Sequence, residues 1–266
     1  MSRGRAVLFC FLGALAASLL LARVHPFGDA GLYAARGPAV TLPGDGKIPD
    51  AVRDLLAEKC ADCHSNQTRA PFYGRFAPVS WLMERDILKG RAAMNLARWD
   101  SYSAAQQQTF AAKIAQQTRA HEMPLLQYRM IHWNARITDG DIHTLSSWAR
   151  TTSGAESSAA GEGASERDPE RGKALFEKRC TGCHALTQNH EGPRLQGVYG
   201  RAAGSAAGFA YSAALKKAGI VWDDGSLDKW LTDPDAFIAG NDMDFLVSKP
   251  QERRDLIGYL KQVSGR

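Results

Sequence analysis

The sequence predicts an all-α protein: two small helical domains joined by a flexible linker, behind an N-terminal apolar helix. Three observations predict it. Apolar side chains recur at helical spacing behind proline, serine and aspartate start signals. The pattern Cys-x-x-Cys-His occurs twice, at 60–64 and 180–184, each time at the end of such a stretch. Between the two, residues 151–167 hold only Ser, Thr, Gly, Ala, Glu and one Arg, so they have nothing to pack and read as a linker. The length of 266 residues fits about two domains.

Taken in order, Arg3 and Arg5 precede an apolar run from Ala6 to Ala22, closed by Arg23. Residues 1–24 form a signal anchor or signal peptide. The run is long for a signal peptide and near the lower limit of a membrane span, roughly 17–25 residues. No small-x-small cleavage site follows it, so an uncleaved anchor is expected. Arginines before the run keep the N-terminus cytoplasmic. Residues 25–46 read as a tether.

Residues 47–150 read as the first domain. Pro49 opens a helix with Val52, Leu55 and Leu56 on one face, running into Cys60. Pro78 starts a second, with Trp81, Leu82, Ile87 and Leu88 as its apolar face, ending near Gly90. Ser103 and Gln106 have capping-box spacing, and Phe110 and Ile114 form the face of that helix. A last helix starts at Thr138 and carries Ile142, Leu145 and Trp148. Residues 168–266 read as the second domain. Asp168 caps a helix with Pro169 in its first position and Leu175 and Phe176 on its face, and this helix delivers Cys180. Pro250 starts a final helix with Leu256, Ile257, Leu260 and Val263.

Cys-x-x-Cys-His is the attachment signature of a c-type haem. Two thiols add across the two haem vinyl groups, and the next residue places an imidazole under the iron. Cys60, Cys63, His64 and Cys180, Cys183, His184 therefore predict two covalently attached haem c groups. A zinc site would need a second Cys or His pair near each motif, and none exists. A redox dithiol would need a βαβ pattern, and the flanks read helical. Of five cysteines only Cys10 is left over, so no structural disulfide is expected. Haem c attachment occurs outside the bacterial cytoplasm, which places both domains on the periplasmic side of the inner membrane. Soluble periplasmic release after signal cleavage is the alternative.

The formal net charge is +5. Residues 47–150 hold 14 basic and 10 acidic side chains, and 168–266 hold 14 and 13. There is no basic run or aromatic-basic stripe, so no nucleic acid is expected as partner.

Within 50–150, Cys-x-x-Cys-His-Ser-Asn, Pro71, Tyr73, Pro78-Val79-Ser80-Trp81-Leu82, Gly90-Arg91, Asn95, Trp99, Met123-Pro124, Tyr128 and His132 resemble the small bacterial haem-binding domain family. That resemblance implies one haem c. A second proline is common after Met-Pro there, where this chain has Leu125. The distal ligand is open: Met123, in a loop before proline, is the first choice, with His132, His121, Met130 or an open site as alternatives. Met83 and Met94 are expected in the core, Trp81, Trp99, Trp133 and Trp148 as packing residues, and His25, His143 and His190 have no supporting context.

Across 168–266 the chain resembles class I cytochrome c of the mitochondrial-type branch. Its helices bracket Gly192-Pro193-Arg194-Leu195, Gly200-Arg201, Gly208-Phe209-Ala210-Tyr211-Ser212, Trp222, Trp230-Leu231-Thr232-Asp233-Pro234 and Gly240-Asn241-Asp242-Met243. The resemblance implies that the Pro193 carbonyl accepts from the His184 ring, that Tyr211 and Trp222 lie along the haem propionates, and that Met243 is the axial methionine. Met243 also sits in a loop rather than on an apolar helix face, as a ligand would. Two departures stand out. Trp230 stands where an aromatic hydroxyl often bonds the methionine sulfur. Asp242 and Asp244 flank Met243 where lysine and an apolar residue are common.

The expected function is electron transfer by a membrane-anchored dihaem cytochrome c, exchanging electrons with redox proteins of the periplasm or inner membrane. It is expected to be no enzyme. A dihaem peroxidase, oxidase or haem sensor would need an open iron position, which only the first haem offers, and only if Met123 is not bound. No output domain for a sensor is visible.

Overall fold

The computed structural model describes residues 2–33, 42, 48–154 and 166–265. Within them are twelve α-helices, no strand, and one isolated antiparallel bridge between Ala202 and Val221. The expected tether residues 34–41 and 43–46, residue 47 at the start of the expected first domain, and the expected linker residues 155–165 lie outside the described residues. Backbone contacts divide the chain into two units, Met1–Ser101 and Tyr102–Arg266.

In the first unit, α1 (Arg3–Leu21) is apolar all round and buries no residue. A window of 18 of its 19 residues has mean hydropathy 2.0, long and apolar enough to cross a membrane. Helix α2 (Asp50–Lys59) starts after Pro49 and buries Val52, Leu55 and Leu56. It runs into the short α3 (Ala61–His64). Helix α4 (Val79–Ala93) starts after Pro78 and passes Gly90 by three residues.

The buried face of α4 is in part the expected one: Ile87 is buried and Leu88 packs against the core, but Ser80 and Glu84 are buried too, while Leu82 is exposed. The reason lies far away in sequence. His25 Nδ1 is 2.6 Å from Glu84 Oε1, which lets a carboxylate with no exposed surface stay buried. Residues 25–33, expected as tether, cover this face: Ala30 and Leu32 are buried against Ile87. Arg91 also donates to the Ala30 carbonyl at 3.0 Å. The end of α1 is tied to the same helix, because the Trp81 indole donates to the carbonyls of Leu21 and Val24. Met94 and Trp99 are buried and Met83 packs against the core, as expected.

In the second unit, α5 (Ala104–Arg119) begins at Ser103, whose capping box with Gln106 is complete. Its buried face is Ala105, Gln108, Ala111, Ala112, Ala115 and Thr118. Phe110 and Ile114 are only half-buried, because small side chains let α5 lie close against its neighbours. These neighbours are α7 (Asp139–Gly154) and α8 (Pro169–Arg179). The unit boundary thus falls inside the segment that the sequence reads as one domain. Helix α6 (Leu126–Ile131) follows Met123-Pro124. Trp148 is buried, but Trp133 is 71% exposed and packs against no core; Arg136 covers its ring. Helix α7 starts where expected, with Thr138 and Asp141 capping each other, and runs through four residues of the expected linker.

Asp168 caps α8 by accepting from the backbone of Glu170 and Arg171. Helix α12 (Pro250–Gln262) crosses α8 at Gly172, where the two backbones touch. Between them lie α9 (Ala213–Lys217), α10 (Asp224–Thr232) and α11 (Pro234–Phe237), capped by Ser212, Asp223 and Asp233. The core of this unit joins Phe176, Val198, Trp222, Leu227, Leu231, Val247, Leu256, Ile257 and Leu260.

Candidate haem sites

The crossing of α8 and α12 fixes where α8 ends, and therefore where Cys180 and His184 point. A cleft opens there, about 1340 Å³ with its mouth included, lined by Cys180, Cys183, His184, Pro193, Tyr211, Trp222 and Met243. The structure brings all seven of these sequence-predicted residues together. The walls are otherwise mainly apolar, with Phe176, Leu195, Val198, Leu231, Phe245 and Leu256.

The His184 ring is fixed by its Nδ1, 2.8 Å from the Pro193 carbonyl. That bond leaves Nε2 as the ring's ligating atom. Desolvation lowers the His184 pKa, outweighing the Pro193 carbonyl and Glu191, so the ring is held neutral. A neutral imidazole is the form that binds a metal. Gly192 makes room for it: a Cβ there would lie 2.3 Å from His184 Cε1. On the other side, the Trp230 indole donates to Met243 Sδ at 3.1 Å. The Met243 backbone is fixed by Asn241, whose side-chain oxygen accepts from its N–H at 2.7 Å. Burial pushes the thiol of Cys180 up to about 12 and that of Cys183 up to about 11, so both stay protonated thiols until they react.

A haem c fits this donor set. The thiols, the oriented imidazole and the thioether share one apolar cleft. Arg201, also on the cleft wall, keeps a buried Nε with no hydrogen-bond partner, the kind of donor a propionate would take. The Tyr211 hydroxyl accepts from the Ala206 N–H at 3.4 Å, and Trp222 is buried 5.4 Å, ring to ring, from Trp230.

The first motif repeats the local chemistry. His64 Nδ1 is 3.2 Å from the Met94 carbonyl, again leaving Nε2. Desolvation lowers its pKa, outweighing the carbonyls of Met94 and Gly90. Burial pushes Cys60 up to about 12 and Cys63 to about 11. Gly90 lies against this motif, with a Cβ there 2.9 Å from the Cys63 carbonyl oxygen. Among the candidates for the distal ligand, Met123 is half-buried just after α5, with its N–H bonded to the Gln117 carbonyl. His132 stacks on Tyr128 with ring centroids 4.1 Å apart, while Met130 and His121 are exposed. Met123 and His132 belong to the second unit and His64 to the first.

Sequence reasoning missed the contribution of α5, whose Thr109, Ala112 and Gln116 line the same cleft. Small and polar residues carry no motif, and no signal in the sequence would have marked them. It also passed over His25, whose pairing with Glu84 spans 59 residues.

Residues 38–151 match the haem-binding domain family, and residues 169–264 match the cytochrome c family. The chain is 43% identical over 101 residues to cytochrome c of Chlamydomonas reinhardtii, covering 36% of this chain and 90% of that one. It is 46% identical over 97 residues to cytochrome c of Euglena viridis, covering 35% and 95%. Of solved structures, it is similar to cytochrome cH from Methylobacterium extorquens, with 42% identity, 36% and 98% coverage and a TM-score of 0.35. With cysteine pair, oriented histidine and methionine in one cleft, the chain belongs to the cytochrome c family, and its function is haem-based electron transfer.

Proposed function

We propose that the protein is a membrane-anchored dihaem cytochrome c that carries electrons on the periplasmic side of the inner membrane. Helix α1 anchors it. Cys180 and Cys183 would hold the second haem, with His184 and Met243 as its iron ligands. Cys60, Cys63 and His64 would hold the first, with Met123 as its second iron ligand. The donors and acceptors are redox proteins of the periplasm or inner membrane.

The observation that carries this reading is the pairing at the cleft: His184 turned by Pro193, and Met243 held by Trp230. Bound haem supplies one-electron Fe(II)/Fe(III) chemistry. The residues do the rest. Thioether ligation favours Fe(II) over two imidazoles. The apolar walls lower the dielectric and favour the state of lower charge. The Trp230 N–H points its positive end at the sulfur and acts in the same direction. Ligands fixed by Pro193 and Asn241 need to move little when charge changes, which favours transfer over catalysis. The anchor reading is supported by the exposed apolar surface of α1, where Val7, Phe9, Phe11 and Leu20 are all more than half exposed.

Cell fractionation with haem staining tests the whole reading. The expected result is a haem-stained band in the membrane fraction, digested by protease added from the periplasmic side. A soluble haem protein beginning between residues 22 and 46 contradicts the anchor. For the first haem, Met123→Ala should give a high-spin ferric component and His132→Ala should not. The reverse pattern would make the ligand pair bis-histidine.

A further inference from the structure

The acidic residue after Met243 is explained by a partner that the sequence hides. Asp244 is buried, with its side chain 2% exposed. Arg119, the last residue of α5, donates to Asp244 Oδ1 at 2.9 Å and to the Asn241 carbonyl at 2.7 Å. The same guanidinium also donates to the Ser146 hydroxyl of α7 at 2.8 Å. Arg150, one turn further along α7, is 3.4 Å from Asp244 Oδ1. One arginine thus bonds the loop on both sides of Met243 and ties it to two helices.

We propose that α5 and α7 form a built-in clamp on the Met243 loop, with Arg119 as the positioning residue that keeps the sulfur in the cleft against competing ligands. This rests on the reading of Met243 as axial ligand. The loop itself has no regular structure between α11 and α12, so its own backbone bonds are few. A thioether is a weak ligand, and a loop that opens exposes the iron position to imidazole-like or anionic donors. The bonds from Arg119 are charge-assisted and are lost when the loop swings out, so they act on the closed state alone. Helix α5 also lines the cleft and is tied to its rim. Lys113 pairs with Glu191 beside Gly192 at 3.0 Å, and Gln108 accepts from Arg179 at 2.8 Å just before Cys180. Asp244 in place of an apolar residue is then no local quirk. It is the half of the clamp that the loop contributes.

The test is an imidazole titration of the ferric, full-length protein. The part of the near-infrared methionine–iron band that Met243→Ala abolishes reports the second haem. Arg119→Ala should tighten imidazole binding at that haem roughly 10-fold, since hydrogen bonds to a charged group are removed from the closed loop only. Arg119→Lys, which keeps the charge and one bond, should fall between. Asp244→Asn should weaken the same bonds without touching α5, and it keeps the test valid if Arg119→Ala fails to mature. Unchanged imidazole affinity in Arg119→Ala or in Asp244→Asn, with the Met243 band intact, overturns the clamp alone. A band indifferent to Met243→Ala overturns both the ligand assignment and the clamp built on it.

Discussion

Gly172→Ala sets two physical effects against each other. Gly172 lies inside α8, where alanine is intrinsically better than glycine by about 0.8–1.0 kcal/mol. Propensity alone therefore predicts a more stable protein. Packing predicts the opposite. A Cβ at 172 would lie 2.0 Å from the Asp255 carbonyl oxygen, 2.5 Å from its carbon and 3.0 Å from Tyr259 Cβ. The obstacle is largely the backbone of α12, which cannot rotate away, so the helices must part by more than about 1 Å to restore ordinary contact. Overpacking of this kind costs about 1–3 kcal/mol. Separation also loosens Phe176 against Tyr259 and the buried Leu256 and Ile257. Set against the propensity gain, the net loss should be about 1–2 kcal/mol, which lowers Tm by roughly 2–8 °C for a unit of this size. Thermal unfolding of the haem-loaded protein, followed by far-UV circular dichroism, checks it. Since α8 aims Cys180 and His184, the methionine–iron band should broaden or shrink before unfolding. A Tm equal to or above that of the parent would show that propensity wins and that α8 and α12 do not touch as described.

Three further outcomes are expected. Trp230→Phe removes the N–H that donates to Met243 Sδ, and with it a dipole that favours Fe(II). The potential of the second haem should fall by roughly 20–60 mV, the equivalent of one hydrogen bond at 59 mV per tenfold, as read by redox titration. Burial pushes Asp255 up, but bonds from Arg171, the Asp168 N–H and Gln251 outweigh it and hold the carboxyl below its usual range. A depressed carboxyl gives stability that is full above about pH 3.9 and lost as pH falls through the lower folded value. The stability gap between parent and Asp255→Asn, measured by denaturant unfolding, should accordingly be flat from pH 7 to about 4 and shrink below. Ser103→Ala deletes the cap of α5 and should cost about 1 kcal/mol in the same assay, more than a surface substitution mid-helix.

What was legible in the sequence was what is local. Ser103 with Gln106, Asp168 with Pro169, and Pro250 mark helix starts by chemistry that acts over three residues, and each starts a helix in the structure. The haem motifs are local too, since thiols and imidazole must sit on one turn. What was not legible is what distant partners decide. No local pattern marks Glu84 as buried; its partner is His25, 59 residues away, which bonds it on the inward face of α4. Phe110 and Ile114 read as the core face of α5, yet Ala111, Ala112 and Ala115 pack inward, because close helix contact favours small side chains over large ones. Asp244 read as a departure from its family until Arg119, 125 residues earlier, supplied its counter-charge.

The most direct test of the account is the intact mass of the full-length protein made in cells competent for haem c attachment. The account predicts the mass of the chain plus two haems, falling by one haem in a Cys60→Ala, Cys63→Ala variant and by one in a Cys180→Ala, Cys183→Ala variant. A chain that carries a single haem, lost with Cys180 and Cys183 and unaffected by Cys60 and Cys63, would contradict the dihaem reading. A chain without covalent haem would contradict the function itself.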